Sequence, residues 1–468
     1  MQTDDGMKSA GLFASFVAQT QFRDIDASVV EHIKKMTLKQ VMSMLVGSTT
    51  QSAAKLLPYV QENPGRPEAG VYGYGLKVDV AQAALMNGFS SHASEMEDDQ
   101  FPGATSDVTV WPALLAVAEW QKLSGQEIVT ALYVGQEIQN RIAWWVSPGT
   151  DAIGICNLPF LGVYGGTAAC AKALGLTEEQ IRASLGLAMV SGVGYAYEMG
   201  TDAHYWESAL VCRNAILNAI MAKNGFTSAP AIENMMDRLT GGNKNLQFGK
   251  MTEALGKPPY YTNNTWIKKW GFCFGTHVYV DILADLMKAN GIGAGDVEEV
   301  AVHFDPNRKN ILDRPNPTTV DDSRFSIQHI LAYQLLFGKC TIDTCSNESL
   351  RDQRITAARK KIRVIHHPEE PLRMAADNGK LDVKLKNGRV FKGAMEQPYG
   401  APLHPLTMEQ VLSIYRNDSK GVLAQAQIER TIEIVLDIEN TPNLQELFNI
   451  CTYQRTVKDN GARVAELA

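Results

Sequence analysis

From Ile25 to Ala289 the chain keeps returning to one pattern, apolar residues three and four apart broken by short polar or glycine-containing joints, and this constrains the fold most. Val29, Val30, Ile33, Met36, Val41 and Leu45 share a face, and Gly47 closes that run. The same spacing predicts helices over Val80–Met96, Trp111–Leu123, Ile128–Trp145, Gly162–Leu174, Glu178–Val190, Val211–Asn224 and Val278–Ala289. Small residues in GVYGGTAACAKALG, residues 162–175, suit close helix-to-helix contact rather than a phosphate loop. A compact, mainly α-helical domain follows.

The texture changes after Gly295. VEEVAVHFD reads as a β-branched strand ending at Pro306, KIRVIHHP as another, and KLDVKLK and RVFKG flank Asn387-Gly388 as a two-residue hairpin. Helical segments at Ser326–Phe337 and Ser349–Lys360 lie between them, and helical periodicity returns in Leu406–Asp418 and in the closing QELFNICT. The expected architecture is a large all-helical domain formed by both ends of the chain, residues 1–266 and 401–468. An α+β lid domain, residues 267–400, is inserted into it.

At 468 residues with 45% hydrophobic content, the chain has the material for this core. A net charge of -7 without a dense Lys/Arg run argues against nucleic acid and anionic membrane partners. No run of eighteen apolar residues occurs, and MQTDDGMKSAG has neither a basic nor an apolar leader region, so a cytoplasmic protein is expected. Cys156, Cys170, Cys212, Cys273, Cys340, Cys345 and Cys451 are odd in number and scattered, which fits reduced thiols rather than a disulfide framework or a CxxC metal pair.

Three clusters carry candidate chemistry. NGFSSHASEMEDD, residues 87–99, packs His92, Glu95, Glu97, Asp98 and Asp99 just before an apolar helix; on a continuous helix His92, Glu95 and Asp99 share a face. A carboxylate beside a histidine fixes its tautomer or carries a proton, as general acid–base chemistry requires. Neither an EF-hand spacing nor a second Glu-x-x-His element accompanies it, so no metal is expected. The second cluster, YAYEMGTDAHYWESALVCRN (195–214), sets Glu198, Asp202, His204 and Glu207 among aromatics, as in a small-ligand pocket. His204 and Glu207 face one another if a helix has begun by there. The third, residues 265–287, has Lys268 and Lys269 before an aromatic turn and a helix opening with His277 and Asp281. Ammonium groups at a helix start suit a carboxylate substrate.

These clusters, in this order with PALLAVAE (112–119), GQEIQNRI (135–142) and LGVYGGTAACAKALGL (161–176), resemble the MmgE/PrpD family over most of the chain. The resemblance implies an all-α domain with an α+β lid, a homodimer, no cofactor, and an active site between the domains. It implies proton movement next to a carboxylate in small di- or tricarboxylic acids. His92 and Asp98 match the family's acidic motif, with Glu95 and Glu97 where aspartates are usual. Thr105 stands where a catalytic histidine belongs, Cys156-Asn157 replaces a His-Pro pair, and His204 and Glu207 fall on a family lysine and histidine. Lys268, Lys269, His277 and Asp281 match the last motif, with Gly271 for its proline.

Threonine cannot be a general base at neutral pH, so the acid–base role has moved or is lost. The expected function is a cofactor-independent lyase, of dehydratase or decarboxylase type, on a small di- or tricarboxylic acid. Its alternatives are an epimerase or isomerase of a dicarboxylic acid derivative and a catalytically silent binding protein. The expected catalytic residues are His204 as relocated base, Glu95, Asp98, Lys268 as carboxylate clamp, and Tyr195 or Tyr197 as proton donor. His92, Asp99, Thr105, Glu207, Lys269, Cys273 and His277 are expected to bind substrate.

Overall fold

The computed structural model describes residues 8–101, 103, 105–151, 153–196, 198–243, 246–370 and 376–453. The protein is mainly α, and its chain divides into two compact units. One comprises Met1–Ala196, Asp202–Thr265 and Thr407–Ala468; the other comprises Tyr197–Thr201 and Trp266–Leu406.

The first unit includes α1 (Lys8–Gln19), α2 (Ala27–Gly47), α3 (Gln51–Glu62), α4 (Val80–Ala93), α5 (Trp111–Gln121), α6 (Gly125–Asp151), α7 (Asn157–Ala173), α8 (Glu178–Ala188) and α9 (Asp202–Lys223), with further helices at Ile232–Leu239, Met408–Ser419, Gln425–Leu436 and Gln445–Thr452. Side-chain caps start several of them: Asp26 accepts from Ser28 N–H, Asp79 from Ala81 and Gln82, and Thr177 forms a capping box with Gln180. Nearly every residue of α4, α5 and α7 is buried, which is why these helices lack a polar face.

Glycines set how close the central helices come. A Cβ at Gly135 of α6 would lie 2.7 Å from the Gly165 carbonyl oxygen of α7, and one at Gly165 would lie 2.8 Å from that of Gly135. GVYGG is thus a packing surface. The neighbouring GQEIQNRI lies on α6 with its polar residues buried: Arg141 Nε bonds Glu137 Oε1 at 2.8 Å, and Glu137 Oε2 accepts from Thr262 N–H at 2.8 Å. Gln139 spans to Thr109 Oγ1 and to the Ser106 carbonyl.

The second unit holds a four-stranded sheet in the order Ile362–His366, Val297–Phe304, Gly379–Leu385, Val390–Met395. The first pair is parallel, with Val302 opposite Val364, and the others are antiparallel, with Val300 opposite Val383 and Lys384 opposite Val390. Leu381, Val383 and Leu385 alternate inward onto Val278 and Leu283 of helix His277–Asn290 and Ile330 and Leu331 of helix Ile327–Phe337. The hairpin at Asn387-Gly388 has three loop residues rather than two. Leu385 N–H donates to the Arg389 carbonyl, Gly388 N–H donates to the Leu385 carbonyl, and Gly388 takes φ +84°. The helix expected over Ser349–Lys360 is interrupted at Asp352, whose side chain caps the second piece.

Among the described residues no helix is long and apolar enough to cross a membrane. All seven cysteines are free.

Candidate active site

The site in the first unit follows from one helix crossing. A Cβ at Gly88 of α4 would lie 2.7 Å from Cys212 Sγ of α9, so only glycine lets the two helices meet there. The helices run antiparallel: one turn beyond Gly88 on α4 is His92, and one turn before Cys212 on α9 is Ser208. His92 Nδ1 and Ser208 Oγ are hydrogen bonded at 2.7 Å. A further turn back on α9 is His204, whose ring centroid lies 4.3 Å from that of His92; Tyr205 meets the His92 ring edge-on at 5.4 Å. Since α9 begins at Asp202, His204 and Glu207 share its first turns, with Nδ1 3.6 Å from Oε2. His92 and His204 are both buried.

The acidic run is not helical. α4 ends at Ala93 rather than Met96, because Ser94 caps it and Glu95 turns left-handed at φ +56°. The expected common face of His92, Glu95 and Asp99 therefore does not exist. Glu95 nonetheless reaches the histidines: donor atoms of His92, Glu95 and His204 lie within 4.8 Å of one another. Asp99 and Gln100 instead pair as a strand with Thr105 and Ser106, leaving Asp99 half-buried and Thr105 buried. The hydroxyl of Thr105 has no hydrogen-bond partner among the described residues. Asp98 is buried, with Oδ1 4.0 Å from Lys39 Nζ. Its N–H donates at 2.9 Å to Asp107, which also accepts from Gln40. Burial, then the nearby Asp98 charge, push the Asp107 carboxyl well above the usual carboxylate range.

Cys156 stands at the N-cap position of α7 without a side-chain capping bond, and its N–H donates to the Gly194 carbonyl at 3.0 Å. Ile155 and Tyr195 form a β-bridge beside that bond, and Tyr195 N–H donates to Glu207 Oε1 at 3.0 Å. Tyr195 contributes its backbone here, while its side chain is 62% exposed. Tyr197 lies outside the described residues. Cys156, His204 and Glu207 bring a second set of donor atoms within 4.8 Å.

The lysine-rich cluster belongs to the second unit. Lys268 is buried, whereas Lys269 Nζ is paired with Asp281 and sits 4.1 Å from the Trp270 ring centroid. Asp281 Oδ2 accepts from Tyr399 N–H at 2.9 Å, and burial raises the Asp281 pKa although Lys269 opposes it. His277 is fully buried, stacked on Phe274 at 4.6 Å with Phe272 and Trp270 around it, and Nε2 meets the Phe272 carbonyl at 3.3 Å. Lys269 and His277 thus have structural partners inside their own unit. Cys273 is half-buried, with its N–H donating to the Arg324 carbonyl.

Sequence reasoning missed Ser208, Lys39, Gln40 and Asp107. Ser208 carried a signal: it stands four residues after His204, on the same α9 face. Lys39 and Gln40 carried none, because a polar residue in a helical stripe reads as solvent-facing until its neighbours are known.

Two buried imidazoles beside carboxylates, on helices that cross at a glycine, are a candidate acid–base site. The unit that carries them is mainly helical rather than all-helical as expected, since Ala69–Val71 pairs with Leu76–Val78 and Asp99–Gln100 with Thr105–Ser106 as short strands. The N-terminal domain of MmgE/PrpD proteins matches residues 11–246 and their C-terminal domain matches residues 270–440, so the chain belongs to the MmgE/PrpD family. It is similar to a cis-aconitate decarboxylase-like protein of Aspergillus oryzae, with 23% identity covering 95% of this chain and 97% of the relative. It is also similar to mouse (Mus musculus) cis-aconitate decarboxylase, at 22% over 97% and 96%. To 2-methylcitrate dehydratase of Escherichia coli it is 28% identical over 71% of each chain.

Proposed function

We propose that the protein is a lyase of the dehydratase or decarboxylase type acting on a small tricarboxylic acid, with proton transfer at the His92–His204–Glu207 cluster. The observation that carries this reading is the placement of His204, held 3.6 Å from a carboxylate and against a second imidazole. The names of the relatives, cis-aconitate decarboxylase and 2-methylcitrate dehydratase, supply the reaction and substrate classes.

In this scheme His204 takes or returns the proton at the carbon next to a substrate carboxylate. Glu207 stabilises the imidazolium that forms, because its charge lies beside the ring in a buried setting. In a dehydration the electron pair left by the proton expels hydroxide from the adjacent carbon, which needs a proton donor. In a decarboxylation the pair left by CO2 is protonated. His92, with Nδ1 held by Ser208, is the donor on hand in either direction. Base and acid are both side chains, so the proposed step is cofactor-independent. Thr105 takes no proton in it.

The test is incubation with cis-aconitate, citrate and 2-methylcitrate in deuterated water, followed by NMR and by CO2 release. Product formation with deuterium incorporation supports the reading. Exchange without net consumption would favour an isomerase. Neither exchange nor turnover, with ligands that raise the melting temperature, would sink it in favour of a binding protein.

A further inference from the structure

We propose that Cys156, His204 and Glu207 form a binding site for one divalent transition-metal ion of the zinc class. Their Sγ, ring-nitrogen and carboxylate-oxygen donors come from three segments, the start of α7 and two positions of α9, so no linear motif announces them. All three residues are buried, and their donor atoms lie within 4.8 Å of one another. Tetrahedral ligation at about 2.0–2.3 Å separates donors by roughly 3.3–3.8 Å. His204 Nδ1 and Glu207 Oε2 already stand at 3.6 Å, so the remaining closure is side-chain rotation of about an ångström.

The surroundings hold the donors in place. Tyr195 N–H occupies Glu207 Oε1, while Oε2, in a residue only 8% exposed, has no hydrogen-bond partner among the described residues and faces the His204 ring. A Cβ at Gly194 would lie 2.8 Å from the Glu207 carboxylate, so this position leaves room for the carboxylate. The Cys156 N–H to Gly194 bond and the Ile155–Tyr195 bridge tie the thiol-bearing segment to the segment that orients Glu207. Outer hydrogen bonds that orient ligands in this way are what metal centres require.

Thiolate with imidazole selects against magnesium and calcium and favours zinc, cobalt and similar ions. Binding releases the thiol proton to solvent and uses the lone pair of neutral imidazole, with no change of oxidation state. A further consequence rests on the proposed function: His204 cannot hold a metal and accept a substrate proton at once, so the ion silences the proton transfer.

The experiment is titration of the chelator-stripped full chain with Co2+ in the absence of oxygen. One equivalent should produce a near-ultraviolet thiolate-to-cobalt band with the visible bands of tetrahedral Co2+, and Zn2+ should displace both. C156S should lose the thiolate band, and E207Q should weaken cobalt binding at least about tenfold, while C212S keeps the band. Circular dichroism and melting temperature report whether each variant folds; should C156S unfold, E207Q by calorimetry decides. No thiolate band in the wild-type chain, a band that survives C156S, or unchanged affinity in a folded E207Q overturns the site. In the exchange assay, Zn2+ should stop turnover and a chelator restore it. Absence of turnover in metal-free protein refutes the proposed function alone, because the cobalt spectrum judges the site separately.

Discussion

The crossing of α4 and α9 at Gly88 gives a prediction whose sign depends on the partner residue. In Gly88→Ala the new Cβ lies 2.7 Å from Cys212 Sγ and 3.1 Å from Cys212 Cβ, where ordinary contact begins at 3.4 Å. About 0.7 Å of clearance has to be found. Turning the sulfur away breaks its 3.1 Å hydrogen bond to the Val108 carbonyl, so the helices separate instead. Overpacking of this kind costs about 1–3 kcal/mol, and the gain from replacing a helical glycine by alanine is about 1 kcal/mol. G88A should therefore lose up to about 2 kcal/mol by difference. In a Cys212→Ala background the sulfur is gone and only the 3.1 Å Cβ contact is left, about 0.3 Å short of ordinary contact, so the same change should stabilise by less than about 1 kcal/mol. Urea unfolding followed by circular dichroism across the four-member cycle reads the coupling. Separation by 0.7 Å would also stretch the His92–Ser208 bond from 2.7 Å to about 3.4 Å, so G88A should lose roughly 10- to 100-fold in turnover and recover part of it with C212A. If G88A stabilises both backgrounds equally, the close crossing is not what positions the histidines.

Replacing His204 by Gln should slow deuterium exchange by roughly 10²–10⁴-fold with little change in melting temperature; full activity would remove it as the base. Asp107 binds its proton more tightly folded than unfolded, so wild-type stability should fall as pH rises from the ordinary value of 3.8 through the raised one. D107N should flatten that slope in urea midpoints between pH 4 and 8, and an unchanged slope would mean that another group titrates. Arg141→Leu strands the buried Glu137 carboxylate and should cost about 3–5 kcal/mol, read by urea unfolding; a loss under 1 kcal/mol would show that water reaches it.

The chain's own pattern located most of the helical segments and the strands of the second unit, because burial against neighbours imposes a period of 3.6 or 2 on local sequence. It also marked His204 and Glu207 as a pair, since i,i+3 geometry is local to one helix. Elsewhere a local rule was overridden. Ser94 and a left-handed Glu95 end α4 early, Asp281 engages the lysine that looked poised for substrate, and Tyr195 offers its backbone while its ring faces solvent. Sequence by itself thus determined a mainly helical family fold and an inventory of acid–base groups. Only the tertiary structure decided which of them meet, because His92 and His204 are brought together by a glycine contact between helices distant in sequence, and Lys39 reaches Asp98 from a third. Such contacts depend on interhelical packing, which no single segment encodes.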